Sequence, residues 1–405
     1  MARPFFSLCI LVLCLAVAGC EDSCPTCVET TQVRGFVRDA NGIGIEGTTV
    51  HVLGKPPVLT TADGSFFFDG VATPYDLVYE GAANDPIRVW RGMTQRDPVI
   101  LGYTNVFAGV DTARVTGSAP ADPGRTTVVF FMAPGVLTGS RADIAGMQYS
   151  MRLGWLADGQ PRTGRMFLLR FRQDPSTMQF LEFDGFATQP LEAYPGGVYR
   201  VDLASVEDPL DRSIAGTVAV PAGYEAISAQ LWMEAEQHAA PLGYRLVEGG
   251  EFAFVAPTLP DVTYRVAVDS RITIDGSFRR SFTAKGGLQS WDRADLVVRA
   301  APEPLVPQQD QVIGRTTPFS WRDDGTPVLH IIHVHSTRRY VIYVVGTETR
   351  LDDLPGPGIE SGSWAIYRID GQNAVDPSFR DSPRESFATS ELVRFRVASE
   401  LVHQP

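Results

Sequence analysis

The sequence contains little cysteine and almost no lysine. Five cysteines occur in 405 residues, and none of them follows Cys27. Disulfide bonds therefore cannot stabilise the long remainder of the chain, which excludes a disulfide-rich secreted scaffold. Only Lys55 and Lys285 accompany 33 arginines (35 basic residues less these two). We attribute this bias to a GC-rich genome rather than to phosphate recognition by arginine.

Basic residues are also fewer than acidic ones and do not cluster along the sequence. The 35 basic residues are outnumbered by 47 acidic ones, the formal net charge is −12, and no run of basic residues occurs. Such a surface repels nucleic-acid phosphates unless a local basic patch overcomes the repulsion. We therefore expect no nucleic-acid partner.

Beyond the N-terminus the chain lacks long apolar runs and helical periodicity. The run VVFFMAPGVL at 128–137 is about half as long as a membrane-spanning helix requires, and Pro134 and Gly135 interrupt it. Short alternating runs recur instead, separated by turns rich in glycine and proline. This pattern predicts an all-β fold, a tandem array of small antiparallel β-sandwiches.

Local signatures of catalysis are missing as well. The sequence contains no G-x-S-x-G, S-x-x-K or H-E-x-x-H motif and no phosphate-binding loop. We predict no catalytic residue and a protein that is not an enzyme. The alternative is a hydrolase with catalytic residues far apart in sequence, which requires a deep pocket and a histidine within hydrogen-bond reach of a carboxylate.

The N-terminus has the composition of a secretion signal. Arg3 supplies a positive charge, and residues 5–19 form an apolar stretch that ends in VAG immediately before Cys20. This arrangement resembles the lipobox of bacterial lipoproteins. The resemblance implies a signal peptide over 1–19, cleavage before Cys20, diacylglycerol and palmitate on that cysteine, and a tether over 20–31.

A multiply acylated cysteine makes the membrane a partner of the protein, because two or more lipid chains give stable anchoring. We expect a lipid-anchored protein of the cell envelope, with the outer membrane favoured and the choice of leaflet open. A Gram-positive source with a single membrane is one alternative. An ordinary signal peptide followed by an incidental cysteine is the other. No cofactor other than the covalent lipid is expected.

Cys24 and Cys27 form a C-x-x-C motif close behind the lipobox. In the oxidising compartment that a secretion signal implies, this spacing favours a local disulfide. A zinc site requires two more ligands, which the flanking residues do not offer. Pairing with another chain is the remaining alternative.

The first segment, 32–112, carries the clearest motif of the body. Turn dipeptides at Asn41-Gly42 and Asp63-Gly64 separate short strands. The pattern resembles the carboxypeptidase-regulatory-like domain, a transthyretin-like β-sandwich. The matching residues are Val33, Gly35, Val37, Gly47, Val50, Thr61, Gly64, Phe66, Phe68 and Tyr75. The catalytic domain of those carboxypeptidases has no counterpart here, so the resemblance implies a fold and no activity.

Three further segments are predicted. The third, 212–300, repeats the theme of the first, with Gly249-Gly250 as its turn. The second, 113–211, is a weaker copy. The fourth, 301–405, begins with a proline-rich linker and then resembles a fibronectin type III domain. In that resemblance Trp321 fills the core, Leu354 and Pro355 form a turn, and Trp364, Ile366 and Arg368 alternate along a late strand.

The motif HIIHVH contains the best metal candidates. On a strand, His333 and His335 share one face, whereas His330 points to the other. Two imidazoles on an exposed face can hold zinc or copper if another strand supplies a third ligand. The alternative is a solvent-facing pair without metal.

These features together predict a structural, adhesive or ligand-binding stalk, with envelope polysaccharide or surface proteins as partners. A carbohydrate- or peptidoglycan-binding module is the alternative, and it requires a shallow groove with two or more exposed Trp or Tyr rings.

Overall fold

The computed structural model has β-strands and no helix in the part of the chain that it describes. These residues are 30–39, 42–82, 85–102, 110–120, 124–138, 141–144, 148–174, 180–203, 211–236, 238–274, 277–314, 316–324, 328–351, 353–354, 361–369, 387–389 and 393–397. The all-β prediction is confirmed. The described residues include no helix that could cross a membrane. Cys20, predicted to carry the lipid, and Cys24 and Cys27, predicted to form a disulfide, lie outside them.

The strands are numbered along the chain. The first segment forms β1 (Thr30–Arg38), β2 (Thr49–Val52), β3 (Val58–Leu59), β4 (Ser65–Ala72), β5 (Tyr75–Glu80), β6 (Ile87–Met93) and β7 (Val99–Leu101). The second forms β8 (Val110–Ser118), β9 (Thr126–Met132), β10 (Val136–Thr138), β11 (Arg141–Ile144), β12 (Gln148–Leu156), β13 (Arg162–Gln173), β14 (Phe180–Ala193) and β15 (Val198–Arg200).

The third segment forms β16 (Asp211–Ala219), β17 (Glu225–Ala235), β18 (His238–Leu246), β19 (Glu251–Pro257), β20 (Thr263–Ile274), β21 (Ser277–Leu288) and β22 (Leu296–Val297). The fourth forms β23 (Glu303–Val306), β24 (Gln311–Ile313), β25 (Phe319–Arg322), β26 (Leu329–His335), β27 (Arg339–Val345), β28 (Glu348–Thr349), β29 (Ser361–Ile369), β30 (Phe387–Thr389) and β31 (Val393–Val397). The boundaries between segments stay predictions, and β8 and β16 each begin just before one.

The first three segments share one sheet arrangement. In each, the opening strand has an antiparallel partner on one side and a short parallel partner on the other, in the orders β4-β1-β7, β12-β8-β15 and β19-β16-β22. A glycine on the opening strand lies opposite an aromatic residue of the antiparallel partner. The three pairs are Gly35 with Phe66, Gly117 with Tyr149 and Gly216 with Phe252.

Glycine is required at these positions because backbone atoms of a neighbouring part of the chain lie very close to them. A Cβ atom on Gly117 would lie 1.7 Å from the carbonyl oxygen of Val201, and one on Gly216 would lie 2.0 Å from that of Ala294. Both distances are far below van der Waals contact, so no larger residue fits. The internal repetition read from the sequence is therefore present in the fold.

The second segment is a sandwich with one sheet that is covered on both faces. Val129 and Phe131 of β9 face the sheet of β8 and β12, whereas Val128 and Phe130 pack in the core of the third segment. All four side chains are buried. This double burial explains the unbroken apolar run VVFFM, because a strand buried on both faces has no polar alternation. The second and third segments consequently share one core.

The order of neighbours in space differs from the order along the chain. One large sheet runs β18-β17-β20-β21-β30-β29-β26-β27-β6-β5-β2-β3 and includes strands of the third, fourth and first segments. Strand β27 pairs with β6 in parallel, with Tyr343 beside Trp90, and β21 pairs with β30. The chain therefore returns at its C-terminal segment to bind its N-terminal one, and the units do not form a simple string.

Candidate site on the histidine strand

Strand β26 positions the three predicted histidines as its alternation requires. The ring centroids of His333 and His335 lie 6.2 Å apart on one face, and His330 is buried on the other. The prediction that His333 and His335 share a face is confirmed. Their neighbours Ile332 and Val334 are fully buried, which fixes the register of the strand.

The two histidines differ in environment. His333 is half-buried, with its ring centroid 4.6 Å from that of Tyr367 on β29, and His335 is exposed at the end of β26. Burial, and secondarily the nearby His335, lowers the pKa of His333 to about 4. The ring is thus neutral near pH 7, the form that coordinates metal ions.

A metal site needs a third ligand beside this pair. Among the described residues, no group of three or more His, Cys, Asp or Glu side chains converges on one point. A third ligand would therefore have to come from outside those residues. Metal binding at His333 and His335 stays a prediction.

Behind the strand lies a buried ionic cluster that sequence reasoning missed. His330 Nε2 lies 2.7 Å from Asp323 Oδ2, and Arg368 Nη1 donates to Asp323 Oδ1 at 2.5 Å. The three side chains are only 2%, 3% and 0% exposed. The His330 ring also lies edge to face with Trp321, 5.2 Å between centroids. The carboxylate of Asp323 loses its hydration on burial, and the two basic side chains beside it compensate for that loss.

The cluster reaches the surface through Asp324. Arg368 Nη1 lies 3.0 Å from Asp324 Oδ2, which also accepts a hydrogen bond from Arg299 at 2.8 Å. Arg299 follows β22 of the third segment, so the network joins two segments. The sequence signal was the alternation of Trp364, Ile366 and Arg368, which places an arginine in register with two core residues.

The His330–Asp323 pair has the hydrogen bond that the hydrolase alternative requires, but it is closed to solvent. A general acid or base must reach a proton on the substrate, directly or through one water molecule. With both side chains at most 3% exposed, neither contacts a substrate in this conformation. The geometry therefore fits a structural ionic cluster.

Most tryptophans belong to cores. Trp90, Trp155, Trp321 and Trp364 are at most 2% exposed, whereas Trp291 is 58% exposed. Two grooves of about 500 and 400 Å³ occur in the described region, and neither is lined by Trp or Tyr. Neither groove therefore has the aromatic platform expected of a carbohydrate-binding module.

Comparison with known proteins finds no matching family model and no matching curated protein. Solved structures that resemble the chain include the Bacillus anthracis TIE protein, at 11% identity and a TM-score of 0.16, covering 66% of this chain and 50% of that one. The chain thus spans about half the length of that protein.

Two further structures are bacterial proteins described as adhesive. A putative cell adhesion protein from Bacteroides eggerthii is 8% identical with a TM-score of 0.16, covering 71% of this chain and 98% of that one. The pilus adhesin SpaC from Lactobacillus rhamnosus GG is 10% identical with a TM-score of 0.15, covering 67% and 44%. At these TM-scores the likenesses carry no inference about function.

Proposed function

We propose that the protein is a lipid-anchored, non-catalytic scaffold of a bacterial cell envelope, with a β-sandwich body that binds extracytoplasmic partners. The parallel pairing of β6 with β27 is the observation that supports the scaffold role, and the N-terminal sequence supports the anchor. It connects the segment next to the tether with the last segment of the chain. A force applied to one segment would thereby be distributed over strand pairings and a shared core that connect it to its neighbours.

The tether keeps the body close to the membrane. Strand β1 begins at Thr30, ten residues after Cys20. Ten residues span at most roughly 35 Å when fully extended. With diacylglycerol and palmitate on Cys20, the first segment would stay within that distance of the lipid surface, in the outer membrane by our proposal. A Cys24–Cys27 disulfide would shorten this reach.

The absence of local catalytic motifs and the closed His330–Asp323 pair support a binding role over an enzymatic one. The partners we propose are envelope polysaccharide or other surface proteins. Both are compatible with an acidic body, of formal net charge −12 for the whole chain, because recognition then depends on local patches rather than on overall charge.

Palmitate labelling tests the anchor. The wild type, Cys20→Ser and the matched control Cys24→Ser are expressed in a bacterium fed radiolabelled palmitate, with and without globomycin. We expect label in the wild type and in Cys24→Ser, no label in Cys20→Ser, and accumulation of the uncleaved precursor under globomycin. Labelling of Cys20→Ser equal to the wild type would refute anchoring at this residue.

A further inference from the structure

The 500 Å³ groove lies on the outer face of the sheet β12-β8-β15 in the second segment. We call it the arginine groove; its lining includes Thr112, Arg114, Ser150, Arg152, Gly197 and Val198. Its volume is within the range of pockets that bind small molecules and far exceeds a single inorganic ion. Val198 is 74% exposed and provides an apolar surface beside the polar groups.

Two arginines face each other across this groove. Arg114 and Arg152 are directly opposite in the β8–β12 ladder, and both are exposed. Like charges at directly opposed positions destabilise an antiparallel pair. Neither has a carboxylate partner among the described residues; the Arg114 Nε atom donates only to Ser150 Oγ, at 3.3 Å. Elsewhere arginines of this acidic protein commonly pair with carboxylates, as Arg200 does with Asp202 on the same face.

The fold does not require this pair. Gly117 and Gly216 are equivalent in the repeated sheets, so positions three residues before them are equivalent too. The third segment has Ser213 at that position, paired with Val255. The features that the fold does need, the glycine and its aromatic partner, are present in both segments. The arginines therefore serve something other than the sheet.

A second groove lies on the same face of the third segment's sheet, further along its strands beside Ala215 and Thr217, and its lining carries both signs of charge. Arg293 lies at its edge and binds Asp295 at 2.8 Å, and Glu248 and Glu251 line the same groove. Two arginines, Arg245 and Arg293, are thus matched in number by two glutamates in that lining. In the arginine groove, by contrast, the lining contains two guanidinium groups and no acidic residue. An external anion is the missing complement.

We propose that the arginine groove binds a carboxylate-bearing polysaccharide, with Arg114 and Arg152 as the contacts to its acidic groups. Guanidinium is a planar donor fork that matches a carboxylate in two hydrogen bonds. The Ser150 hydroxyl and Thr112 offer partners to sugar hydroxyls, and Val198 offers a surface to the apolar face of a ring. This deepens the proposed function by naming the ligand class, and it does not depend on the anchor.

Calorimetric titration of the full chain in detergent micelles tests the proposal. The probes are hexagalacturonate, neutral maltohexaose, and sodium phosphate or sulfate. Arg114→Gln/Arg152→Gln is compared with the matched control Arg172→Gln/Arg322→Gln, which removes the same charge at exposed positions outside the groove. We expect saturable, salt-sensitive binding of hexagalacturonate, weakened at least tenfold in the groove variant and unchanged in the control. Maltohexaose should not bind.

Each other outcome overturns the proposal. If hexagalacturonate does not bind, or if its affinity falls equally in both double variants, the arginine groove is not its binding site. Phosphate or sulfate binding as tight as hexagalacturonate would reduce it to a simple anion site. Arg152→Gln alone serves as a second variant: it relieves the charge repulsion, so its thermal midpoint should not fall, and hexagalacturonate binding should weaken at least threefold. Palmitate labelling of Cys20 is unaffected by any of these results.

Discussion

Trp90 and Tyr343 stack with their ring centroids 5.5 Å apart and their planes inclined by 10°. They are register partners on the parallel strands β6 and β27, one from the first segment and one from the fourth. Around them, Arg91 binds Asp353 through two hydrogen bonds of 2.7 and 2.8 Å, and Arg338 lies 3.2 Å from Glu80. This seam joins segments that are distant in sequence into one hydrogen-bonded sheet.

The Arg91–Asp353 pair is expected to stabilise the seam. Its two parallel N–H···O bonds and the burial of Arg91 favour a coupling energy of about 1–2 kcal/mol in a double-mutant cycle with alanine. Urea unfolding of the two single variants and the double variant measures it. The exposed Arg322–Glu303 pair is the control and should give less than about 1 kcal/mol. Equal couplings for both pairs would contradict a special role for the seam.

The glycines on the opening strands are expected to tolerate no side chain. Gly117→Ala and Gly216→Ala each place a Cβ atom against a carbonyl oxygen of a residue next to the parallel strand, Val201 after β15 or Ala294 before β22, so each should destabilise by about 2–3 kcal/mol in urea unfolding. Gly314→Ala is the control, because its Cβ would lie 3.5 Å from Thr317 Oγ1 and should cost less than about 0.5 kcal/mol. A neutral result at Gly117 or Gly216 would refute the close approach.

Two repeated aspartates should make the protein sensitive to acid. Hydrogen bonds from Arg200 and Ser118 lower the pKa of Asp202 from 3.8 to about 2, and those from Arg293 and Thr217 do the same for Asp295. A carboxyl with a lowered folded pKa stabilises above its unfolded pKa and loses that contribution as pH falls. Stability should therefore drop between pH 3.8 and 2.

Urea midpoints measured across that pH window check this expectation. Asp202→Asn/Asp295→Asn should be less stable than the wild type above pH 4 and should show a smaller further loss below it. Each single variant should lie between the two. An acid dependence identical to that of the wild type would show that these carboxylates do not carry the effect.

Removing one member of the buried ionic cluster should lower the free energy of unfolding. Arg368→Met leaves Asp323 in a site closed to water without its guanidinium partner, so the expected loss is about 3–5 kcal/mol of unfolding free energy. Arg322→Met, on a strand nearby and 68% exposed, is the control and should change stability by less than about 0.5 kcal/mol. Similar stability of the two variants would mean that the cluster contributes nothing.

Local features of the fold could be predicted from the sequence because they depend on near neighbours. Alternation along a strand placed Phe66 with Phe68, and Phe252 with Phe254, and all four are buried. Trp321 fills a core at 2% exposure, as the fibronectin-like pattern implied.

The pairing of β6 with β27 could not be predicted in this way. Residues on an edge strand show the same alternation whether the edge is free or paired, so nothing in the sequence indicates that Trp90 and Tyr343 lie side by side. The burial of Asp323 was missed for a related reason: WRDDG has the composition of an exposed turn, and only the tertiary position of His330 and Arg368 makes it a buried acceptor.

Residue-resolved hydrogen exchange at the seam tests whether the first and fourth segments form one continuous sheet. In one continuous sheet, the amides of β6 and β27 that point across the seam are protected in the wild type, and Arg91→Ala/Asp353→Ala raises the exchange of both strands together. Rapid exchange of those amides in the wild type, with the other edges of both strands protected, would show two separate sandwiches and contradict the continuous sheet.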